Sequence, residues 1–443
     1  MASPPEHPSL ALIILDGLGD RPHPDTADRS PVEAASTPNL DRLAAEGAMG
    51  AVTVVAPGVA PESDAGVLAL LGYDPVSDSP GRGVLEALGV GIDLAPGDVA
   101  FRLNFATLDG GGGISDSRVG RSLGTSEAGQ LARSLTSAHL LESDSVRAEV
   151  RATVGHRGVL WLHPESGGPL SPNVSNSDPF YEKVGGMGQA RRVESPRPLE
   201  VRPLDDSPEA RRTATVTNRF LDRAVALLGG ETVNARRALA GKKIANGLLV
   251  RNAGSMPSPG SPAPFISKYG FAGTAITEMP VERGIARLLG LQDAFIGPMG
   301  ADVAGALKVR ARATRDAVET YPFVYVHLKG PDEPGHDGQA LRKKEIVEEL
   351  DRSFFGPFLD GLDRTRVRLA ITADHATPCI LKGHSDDPVP LVLTGSGVAP
   401  GGGRAPTSSS IKFGETSAAA GSLGALRGRD VLPLLIRGGV AHP

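Results

Sequence analysis

The sequence predicts an α/β protein with a mostly parallel sheet flanked by helices and a smaller α+β domain inserted into it. Three observations predict this fold class. Apolar runs at residues 10–15 and 323–328, and a mainly apolar run within 366–375, are typical of strands covered on both faces, as in parallel sheets. Helical patterns alternate with these runs, which is typical of α/β units. Residues 78–262 have few long apolar runs, so we expect a separate domain there.

The predicted amino-terminal elements are closely spaced along the chain. The strand over residues 10–15 leads through a loop into a predicted helix over 37–47 and a second strand over 50–57. A turn then leads into a predicted helix that begins at Ser63. This order is typical of the first half of an α/β domain.

The carboxyl-terminal elements resume the α/β alternation. We predict a strand over residues 323–328, a charged helix over 340–362, and strands over 366–375 and 389–395. These elements and the amino-terminal ones therefore belong to one domain that is split in sequence.

The domain boundaries follow from composition. Residues 255–264, "SMPSPGSPAP", are typical of a linker because Ser and Pro interrupt regular structure. We predict a split domain of residues 1–77 plus 263–443 and an inserted domain of residues 78–262. The Gly and Pro residues near 76–80 and in the linker make both joints candidate hinges.

The composition excludes several classes of protein. The net charge of −5 over 443 residues is too small and too mixed to indicate a nucleic-acid or membrane partner. The single cysteine, Cys379, excludes internal disulfides and cysteine-based zinc sites. Apolar runs do not approach the roughly 18 residues of a membrane helix, and residues 1–10 lack the pattern of a signal peptide. We therefore expect a cytoplasmic protein.

Asp16 directly follows the first strand, in the stretch "LALIILDGLGDRP", and several interpretations compete for it. A Walker B aspartate requires a G-x-x-x-x-G-K-[ST] loop, which the sequence lacks. A dinucleotide site requires G-x-G-x-x-G after the strand, whereas the G-x-G at 17–19 is followed by "DRP". A single aspartate can also be a turn or cap residue. A metal ligand requires partners at the ends of other strands.

Two further strands deliver such partners to their carboxyl ends. Together with Asp16, the candidate ligands are Asp332, His336, Asp374, His375 and His384. Carboxylate oxygens and imidazole nitrogens bind divalent ions such as Mn²⁺, Zn²⁺ and Mg²⁺. Six ligands are too many for one tetrahedral ion, so the sequence predicts two ions, an arrangement that suits phosphoryl transfer.

Ser63 is the candidate nucleophile. It precedes the apolar stretch "GVLALLG", so it can be a helix N-cap. It can also be a metal-activated hydroxyl at a helix N-terminus that holds an anionic phosphate. The two interpretations are compatible.

Short stretches spread from Asp16 to Leu435 resemble those of a known family. They include "DGLGDRP", "SDAGVLALLGYDP", "HLKGPDEPGHDG", "TADHATPC" and "GHSDDPVPL". In these motifs the chain is similar to the archaeal-type, cofactor-independent (2,3-bisphosphoglycerate-independent) phosphoglycerate mutase family of the alkaline phosphatase superfamily. The resemblance covers nearly the whole chain.

This resemblance implies an alkaline-phosphatase-like fold and two divalent ions, with Mn²⁺ expected first and Zn²⁺, Co²⁺ or Mg²⁺ as alternatives. The ligands it assigns to one ion are Asp332, His336 and His384. The ligands it assigns to the other are Asp16, Ser63, Asp374 and His375. It implies that Ser63 carries the phosphoryl group as phosphoserine and that the inserted domain binds the substrate and closes over it as a lid.

Several substrate-side positions depart from the family pattern. Val67 stands where the family has a histidine, Arg283 stands in place of a lysine, and Asn176 stands in place of an aspartate, whereas Asp178 is kept. Arg for Lys changes a point charge into a planar fork. All the implied metal ligands are retained, so the departures are expected to concern the substrate and not the transfer step.

The resemblance also implies which residues meet the substrate, a small phosphorylated carboxylic acid. These residues are Asp178, Arg283, Arg102 and His156, with Arg283 also expected to act in catalysis. The first expected function is interconversion of 3- and 2-phosphoglycerate in glycolysis. The alternatives are a divergent phosphoryl or phosphonyl transferase that uses a phosphoglycerate-like or phosphonate substrate, and a phosphatase or phosphodiesterase.

Overall fold

The structure is a computed structural model that describes residues 8–184, 187–190, 193–258, 260–399 and 411–439. Residues 1–7, part of the stretch considered above for a signal peptide, lie outside the described residues. Residue 259 of the predicted linker also lies outside them. The chain divides into two compact units. One contains the residues up to Ser79 and those from Pro262 onward, and the other is Pro80–Ser261.

The strands are distributed over both units. In chain order they are β1 (Ser9–Leu15), β2 (Ala48–Thr53), β3 (Val99–Leu108), β4 (Ile114–Asp116), β5 (Val146–Ala152), β6 (Arg157–Pro164), β7 (Tyr181–Val184), β8 (Met187–Ala190), β9 (Gly247–Gly254), β10 (Gly273–Ile276), β11 (Gln292–Asp293), β12 (Phe323–Leu328), β13 (Val367–Thr372), β14 (Val389–Gly395) and β15 (Gly424–Arg427).

The helices are also distributed over both units, and those of the first unit alternate with its strands. In chain order they are α1 (Pro31–Ala34), α2 (Pro38–Glu46), α3 (Ser63–Leu70), α4 (Arg82–Gly89), α5 (Thr125–Ser137), α6 (Pro208–Gly229), α7 (Thr232–Leu239), α8 (Phe265–Tyr269), α9 (Pro280–Leu288), α10 (Val303–Thr320), α11 (Asp332–Asp337), α12 (Ala340–Leu350), α13 (Gly356–Leu359), α14 (Glu415–Ala419) and α15 (Gly428–Arg437). Among the described helices, none has both the length and the apolar character that crossing a membrane requires.

The first unit is built on an eight-stranded sheet in the order β11-β10-β12-β1-β13-β14-β2-β15. β1 pairs in parallel with β12 and β13, whereas β14 runs antiparallel to β13 and β2. Every side chain of β12 and β13 is buried, as expected for strands covered on both faces. The predicted α/β class with a mostly parallel sheet is confirmed. Because β12, β1 and β13 are adjacent and parallel, their carboxyl ends meet at one edge of the sheet.

The second unit has an antiparallel sheet centred on β3, which pairs with β6, β9 and β4. β5 extends this sheet beyond β6. The long helix α6 begins after Ser207, whose hydroxyl accepts a hydrogen bond from the Ala210 N–H, which satisfies one free donor of the first turn. α6 buries Phe220 and Leu228 in the core of this unit.

The predicted helix over residues 340–362 is interrupted. α12 ends at Leu350, a π-helical turn follows over Asp351–Phe355, and α13 completes the segment. In this turn the Gly356 N–H bonds to the Asp351 carbonyl five residues back, and the next residue, Pro357, has no N–H to continue the regular helical pattern. The turn directs the Asp351 carboxylate at the start of α2, where it accepts the Leu40 N–H at 2.8 Å.

Candidate metal centre

Three strand ends and one helix start bring the candidate ligands of the first unit together. Asp16 directly follows β1, and Asp374 lies two residues after β13. Gly17 takes a positive φ of 60°, which a residue with a Cβ rarely adopts. Its N–H donates to Asp374 Oδ1 at 3.1 Å, so the turn after β1 is hydrogen-bonded to the turn after β13.

The first cluster, here called the inner triad, consists of Asp16, Asp374 and His375. Their ligand atoms all lie within 4.8 Å of one another, and all three residues are buried. The Nε2 atom of His375 is 3.6 Å from one carboxylate oxygen of each aspartate. The structure therefore brings together three of the residues that sequence reasoning assigned to one ion.

The second cluster, here called the outer triad, consists of Asp332, His336 and His384, whose ligand atoms also lie within 4.8 Å of one another. Asp332 and His336 lie one turn apart on α11, and His384 lies between β13 and β14. The Nε2 atoms of both histidines are 3.4 Å from Asp332 Oδ1 and 3.1 Å from each other. These three residues are the ones assigned by sequence reasoning to the other ion.

Ser63 lies next to the inner triad. Its Oγ is 3.3 Å from His375 Nε2, and it is buried. The N-cap of α3 is Glu62, and Ser63 is the first residue of the helix, so the alternative in which Ser63 itself is the N-cap is wrong. A Cβ on Gly66 of α3 would lie 2.1 Å from the Asp374 carbonyl oxygen. Glycine at this position therefore lets α3, the helix that begins with Ser63, pack directly on the inner triad.

A hydrogen bond at Nδ1 orients the ring of His384 toward the outer triad. His384 Nδ1 is 2.8 Å from the Pro61 carbonyl oxygen. A carbonyl only accepts, so the ring donates Nδ1–H and keeps the lone pair of Nε2 on the side of Asp332. The rings of His375 and His384 stack with their centroids 3.8 Å apart, which holds the two triads next to each other.

Lys329 is a charged neighbour of the inner triad that sequence reasoning did not single out. Its Nζ is 3.1 Å from Asp16 Oδ2 and 2.7 Å from Glu282 Oε1. Burial alone would raise the pKa of Asp16, but Lys329 together with His375 and His327 outweighs burial and holds that pKa below its usual range. The signal was available in the quoted "HLKGPDEPGHDG", because Lys329 directly follows β12.

His327 is a second neighbour that the sequence did not reveal. It is buried on β12, and its Nε2 is 3.1 Å from Asp374 Oδ2. Inside an apolar strand a histidine carries no signal of its role. Here it contacts the oxygen of Asp374 that also faces His375, so it fixes the orientation of that carboxylate.

The electrostatics of the two triads favour added positive charge. Burial alone would lower the pKa of His375, but Asp374 and Asp16 outweigh it and raise that pKa to about 9. Asp16 Oδ1 is buried and has no hydrogen-bond partner among the described residues. Oxygen and imidazole donors that converge in this way suit divalent cations, so the residues fit the metal ions that sequence reasoning implies.

Arg283 is engaged within the chain. Its guanidinium forms a two-pronged ion pair with Asp293, with Nη2 to Oδ2 at 2.8 Å and Nε to Oδ2 at 3.1 Å, and it stacks 3.9 Å above the ring of Phe295. The lysine beside the inner triad is Lys329. The expectation that Arg283 contacts the substrate stays a prediction.

The inserted unit contains a basic cluster, here defined as Arg82, Arg102, Arg157 and Arg251. Glu86 pairs with Arg102 and Arg82, each at 3.2 Å. Burial and the neighbouring Arg82 lower the pKa of Arg102 to about 9. Burial and Arg157 lower the pKa of His156 to about 3, so His156 is neutral beside the cluster.

Asp178 lies at the same cluster. It is buried and its Oδ2 accepts a hydrogen bond from Arg251 Nη1 at 2.5 Å, and Arg251 stacks 3.7 Å above the ring of Tyr181. The structure thus groups three predicted substrate residues of the insert, namely Arg102, His156 and Asp178.

The chain is similar along nearly its whole length to known proteins. A family model described as 2,3-bisphosphoglycerate-independent phosphoglycerate mutase matches residues 44–234. A protein of that name from Aeropyrum pernix is 42% identical over 422 residues, which cover 95% of this chain and 96% of the relative. One from Methanopyrus kandleri is 37% identical, with 96% and 95% covered.

Solved structures give the same result. A cofactor-independent phosphoglycerate mutase from Thermoplasma acidophilum is 32% identical, with a TM-score of 0.64 over 98% of this chain and 100% of that one. A Pyrococcus horikoshii protein is 30% identical, with a TM-score of 0.76 over 99% of both chains. The fold and the centre define an α/β protein with acidic and imidazole ligands at the carboxyl edge of its sheet. The chain belongs to the 2,3-bisphosphoglycerate-independent phosphoglycerate mutase family.

Proposed function

We propose that this chain interconverts 3-phosphoglycerate and 2-phosphoglycerate by phosphoryl transfer through Ser63. The single observation that carries the proposal is the position of Ser63 Oγ, 3.3 Å from the inner-triad residue His375, in a chain of this family. A hydroxyl at a helix N-terminus is well placed to hold an anionic phosphoryl group.

The reaction consists of two transfers that balance. Ser63 Oγ bonds to phosphorus as the bond from phosphorus to one glycerate oxygen breaks, and the serine proton ends on that oxygen. The other glycerate hydroxyl then bonds to the same phosphorus, its proton returns to Ser63 Oγ, and the isomer leaves. Divalent ions held by the two triads would make the hydroxyl more acidic and offset phosphoryl charge.

We propose two ions because two separate triads each offer three ligand atoms. The inner triad, together with Ser63 Oγ, would hold one, and the outer triad would hold the other. Carboxylate and imidazole donors can bind Mn²⁺, Zn²⁺, Co²⁺ or Mg²⁺, and we place Mn²⁺ first because the family resemblance implies it.

We propose that the inserted unit binds the anionic groups of the substrate. Its basic cluster has four arginines against the two carboxylates of Glu86 and Asp178, so it has a net positive charge that suits a carboxylate or a phosphate. The split domain as metal-binding domain, the insert as lid, and a glycolytic role in the cytoplasm belong to the same proposal. The relatives are named phosphoglycerate mutases, which gives no support to a phosphonate substrate.

The test measures 2-phosphoglycerate formation by coupling to enolase, with free phosphate followed in parallel. We expect mutase turnover that a chelator abolishes and Mn²⁺ restores. Ser63→Ala should lower kcat by at least about 10³-fold, because covalent transfer has no substitute nucleophile.

The matched control is Ser207→Ala, which changes a serine at the start of α6 and should leave turnover unchanged. Phosphate release without 2-phosphoglycerate would make the protein a phosphatase. Turnover of Ser63→Ala within about tenfold of the parent would refute the proposed nucleophile.

A further inference from the structure

The hydroxyl of Thr377 links the two triads. Thr377 is fully buried and lies two residues after His375. Its Oγ1 is 3.0 Å from His375 Nδ1 in the inner triad and donates to Asp332 Oδ1 of the outer triad at 2.7 Å. A single hydroxyl therefore contacts one ligand of each cluster.

The hydrogen bonds of this hydroxyl determine the tautomer of His375. A hydroxyl carries one hydrogen, and the hydrogen of Thr377 is directed at the Asp332 carboxylate. The contact with His375 must then be donated by the ring, from Nδ1–H to Thr377 Oγ1. In the neutral ring, the form that a metal ligand must take, the lone pair of His375 is then on Nε2, the atom that faces Ser63, Asp16 and Asp374.

The side chain of Thr377 is held on both sides by glycines. A Cβ on Gly17 would lie 2.7 Å from Thr377 Oγ1 and 2.7 Å from Asp332 Oδ1, and a Cβ on Gly335 would lie 2.9 Å from Thr377 Cγ2. Neither contact can be accommodated without movement, so both glycines are needed for the close approach to Thr377.

Hydrogen bonds to Lys343 and Gly19 fix the backbone of Thr377. The buried Lys343 Nζ donates to the Thr377 carbonyl at 3.0 Å and to the Gly19 carbonyl at 3.2 Å, and it pairs with Asp20 Oδ2 at 2.8 Å. The Thr377 N–H donates to the same Gly19 carbonyl at 2.9 Å. Side chain and backbone are thus both held in one position.

We propose that Thr377 is a positioning residue that couples the two metal sites, because it sets the tautomer of His375 and the orientation of Asp332 through one hydroxyl. The inference rests on the proposed role of the triads as metal sites. It assigns Thr377 no contact with the substrate or with the transferred group.

The experiment measures Mn²⁺ binding by competition with a chelator and counts bound ions by elemental analysis. Thr377→Val keeps the side-chain shape without the hydroxyl, and it should weaken both ions by about 10–100-fold, the usual cost of losing a partner behind a metal ligand. Thr377→Ser keeps the hydroxyl and should bind both ions within about threefold of the parent.

The matched control is Thr372→Val. Thr372 is also fully buried, at the end of β13, and its hydroxyl has no hydrogen-bond partner among the described residues. This variant should bind Mn²⁺ like the parent. If Thr377→Val does not fold, as judged by circular dichroism in chelator, Thr377→Ala and Thr377→Ser provide a second comparison that isolates the hydroxyl.

The outcomes separate this inference from the proposed function. A parent that binds two ions, together with a valine or alanine variant that binds them equally well, overturns the coupling role alone. Weakening of only one ion also contradicts the coupling. A parent that binds no divalent ion overturns the proposed metal sites and, with them, this inference.

Discussion

Replacement of Lys329 by methionine is the sharpest test of the charge balance at the centre. Its Nζ lies between Asp16 at 3.1 Å and Glu282 at 2.7 Å, and both carboxylates are buried. Methionine fills a similar volume without charge, so Lys329→Met leaves two buried carboxylates with no cation between them.

The magnitude follows from burial. Breaking a buried ion pair by removal of one partner costs about 3–5 kcal/mol of folding free energy. The Lys329 side chain is 20% exposed, so we expect the lower end, about 3 kcal/mol. A loss of this size lowers Tm by about 6–12 °C in a domain of 150–250 residues.

The assay is thermal unfolding in chelator at neutral pH, with Lys344→Met as the matched control. Lys344 forms a partly exposed pair with Glu348 on α12, and its loss should cost about 0.5 kcal/mol or less. Adding Glu282→Gln to Lys329→Met removes one of the two unpaired charges and should restore part of the lost Tm.

The catalytic consequence is measured on the same variants. Asp16 loses a charge-assisted hydrogen bond worth about 1.5–3 kcal/mol, and with it a fixed orientation, so kcat/KM should fall by about 10–150-fold. A Lys329→Met protein with Tm within about 1 °C of the parent, or a double variant no more stable than the single one, would refute the reasoning.

Three further predictions concern other charged groups. Lys343→Met should lower Tm, measured by thermal unfolding, by more than the double variant Lys343→Met, Asp20→Asn does. The single change leaves the Asp20 carboxylate buried at 0% side-chain exposure without its cation. Equal losses of Tm in the two variants would contradict this prediction. Arg283→Lys should lower Tm and leave KM for phosphoglycerate unchanged, because the planar guanidinium that this change removes is bound to Asp293. A tenfold or larger rise in KM, about 1.4 kcal/mol, would instead support a substrate contact. Burial raises the pKa of Glu415 from 4.5 to about 7, so its contribution to stability is complete below pH 4.5 and lost as pH rises through about 7; Glu415→Gln should therefore flatten the fall in Tm between pH 5 and pH 8, and an unchanged slope would count against this assignment.

The strands β1, β12, β13 and β14 could be predicted because burial on both faces leaves a strong signal in sequence, whereas the short strands β10, β11 and β15 were not predicted. The predicted strands over residues 323–328 and 389–395 coincide with β12 and β14. The predicted strand over residues 366–375 extends three residues beyond β13, yet the residues at or just beyond the ends of these strands could be predicted to meet at the carboxyl edge. Both triads satisfy that geometry.

The partners of those residues could not be predicted, because they depend on packing between distant segments. Thr377 contacts Asp332 across 45 positions of the chain, and Lys343 contacts Gly19 across 324. Thr377 lies in the quoted stretch "TADHATPC", but nothing in the sequence around it or around Lys343 indicates these contacts. The π-helical turn at Asp351–Phe355 is a similar case, since the pattern is helical throughout and only Pro357 marks the change.

The residues at the three substrate-side departures from the family pattern are each accommodated within the chain. Arg283 is bound to Asp293. Val67 is fully buried in α3. Asn176 accepts the Asn252 N–H through Oδ1 at 3.0 Å and donates through Nδ2 to the Tyr181 carbonyl at 3.0 Å, and an aspartate could not make the second of these bonds because a carboxylate has no hydrogen to donate.

These internal contacts are relevant to whether the residues at the three departures also contact the substrate. A residue whose polar atoms are already bonded within the chain, or whose side chain is apolar and buried, has little to offer a ligand. The three departures therefore indicate changed packing within the chain and not changed recognition of the substrate. The two triads and the basic cluster of the insert carry unbalanced charge, and their chemistry suits divalent cations in the first case and an anion in the second. That division of charge is what a phosphoglycerate requires, because its phosphate and its carboxylate both need cationic partners.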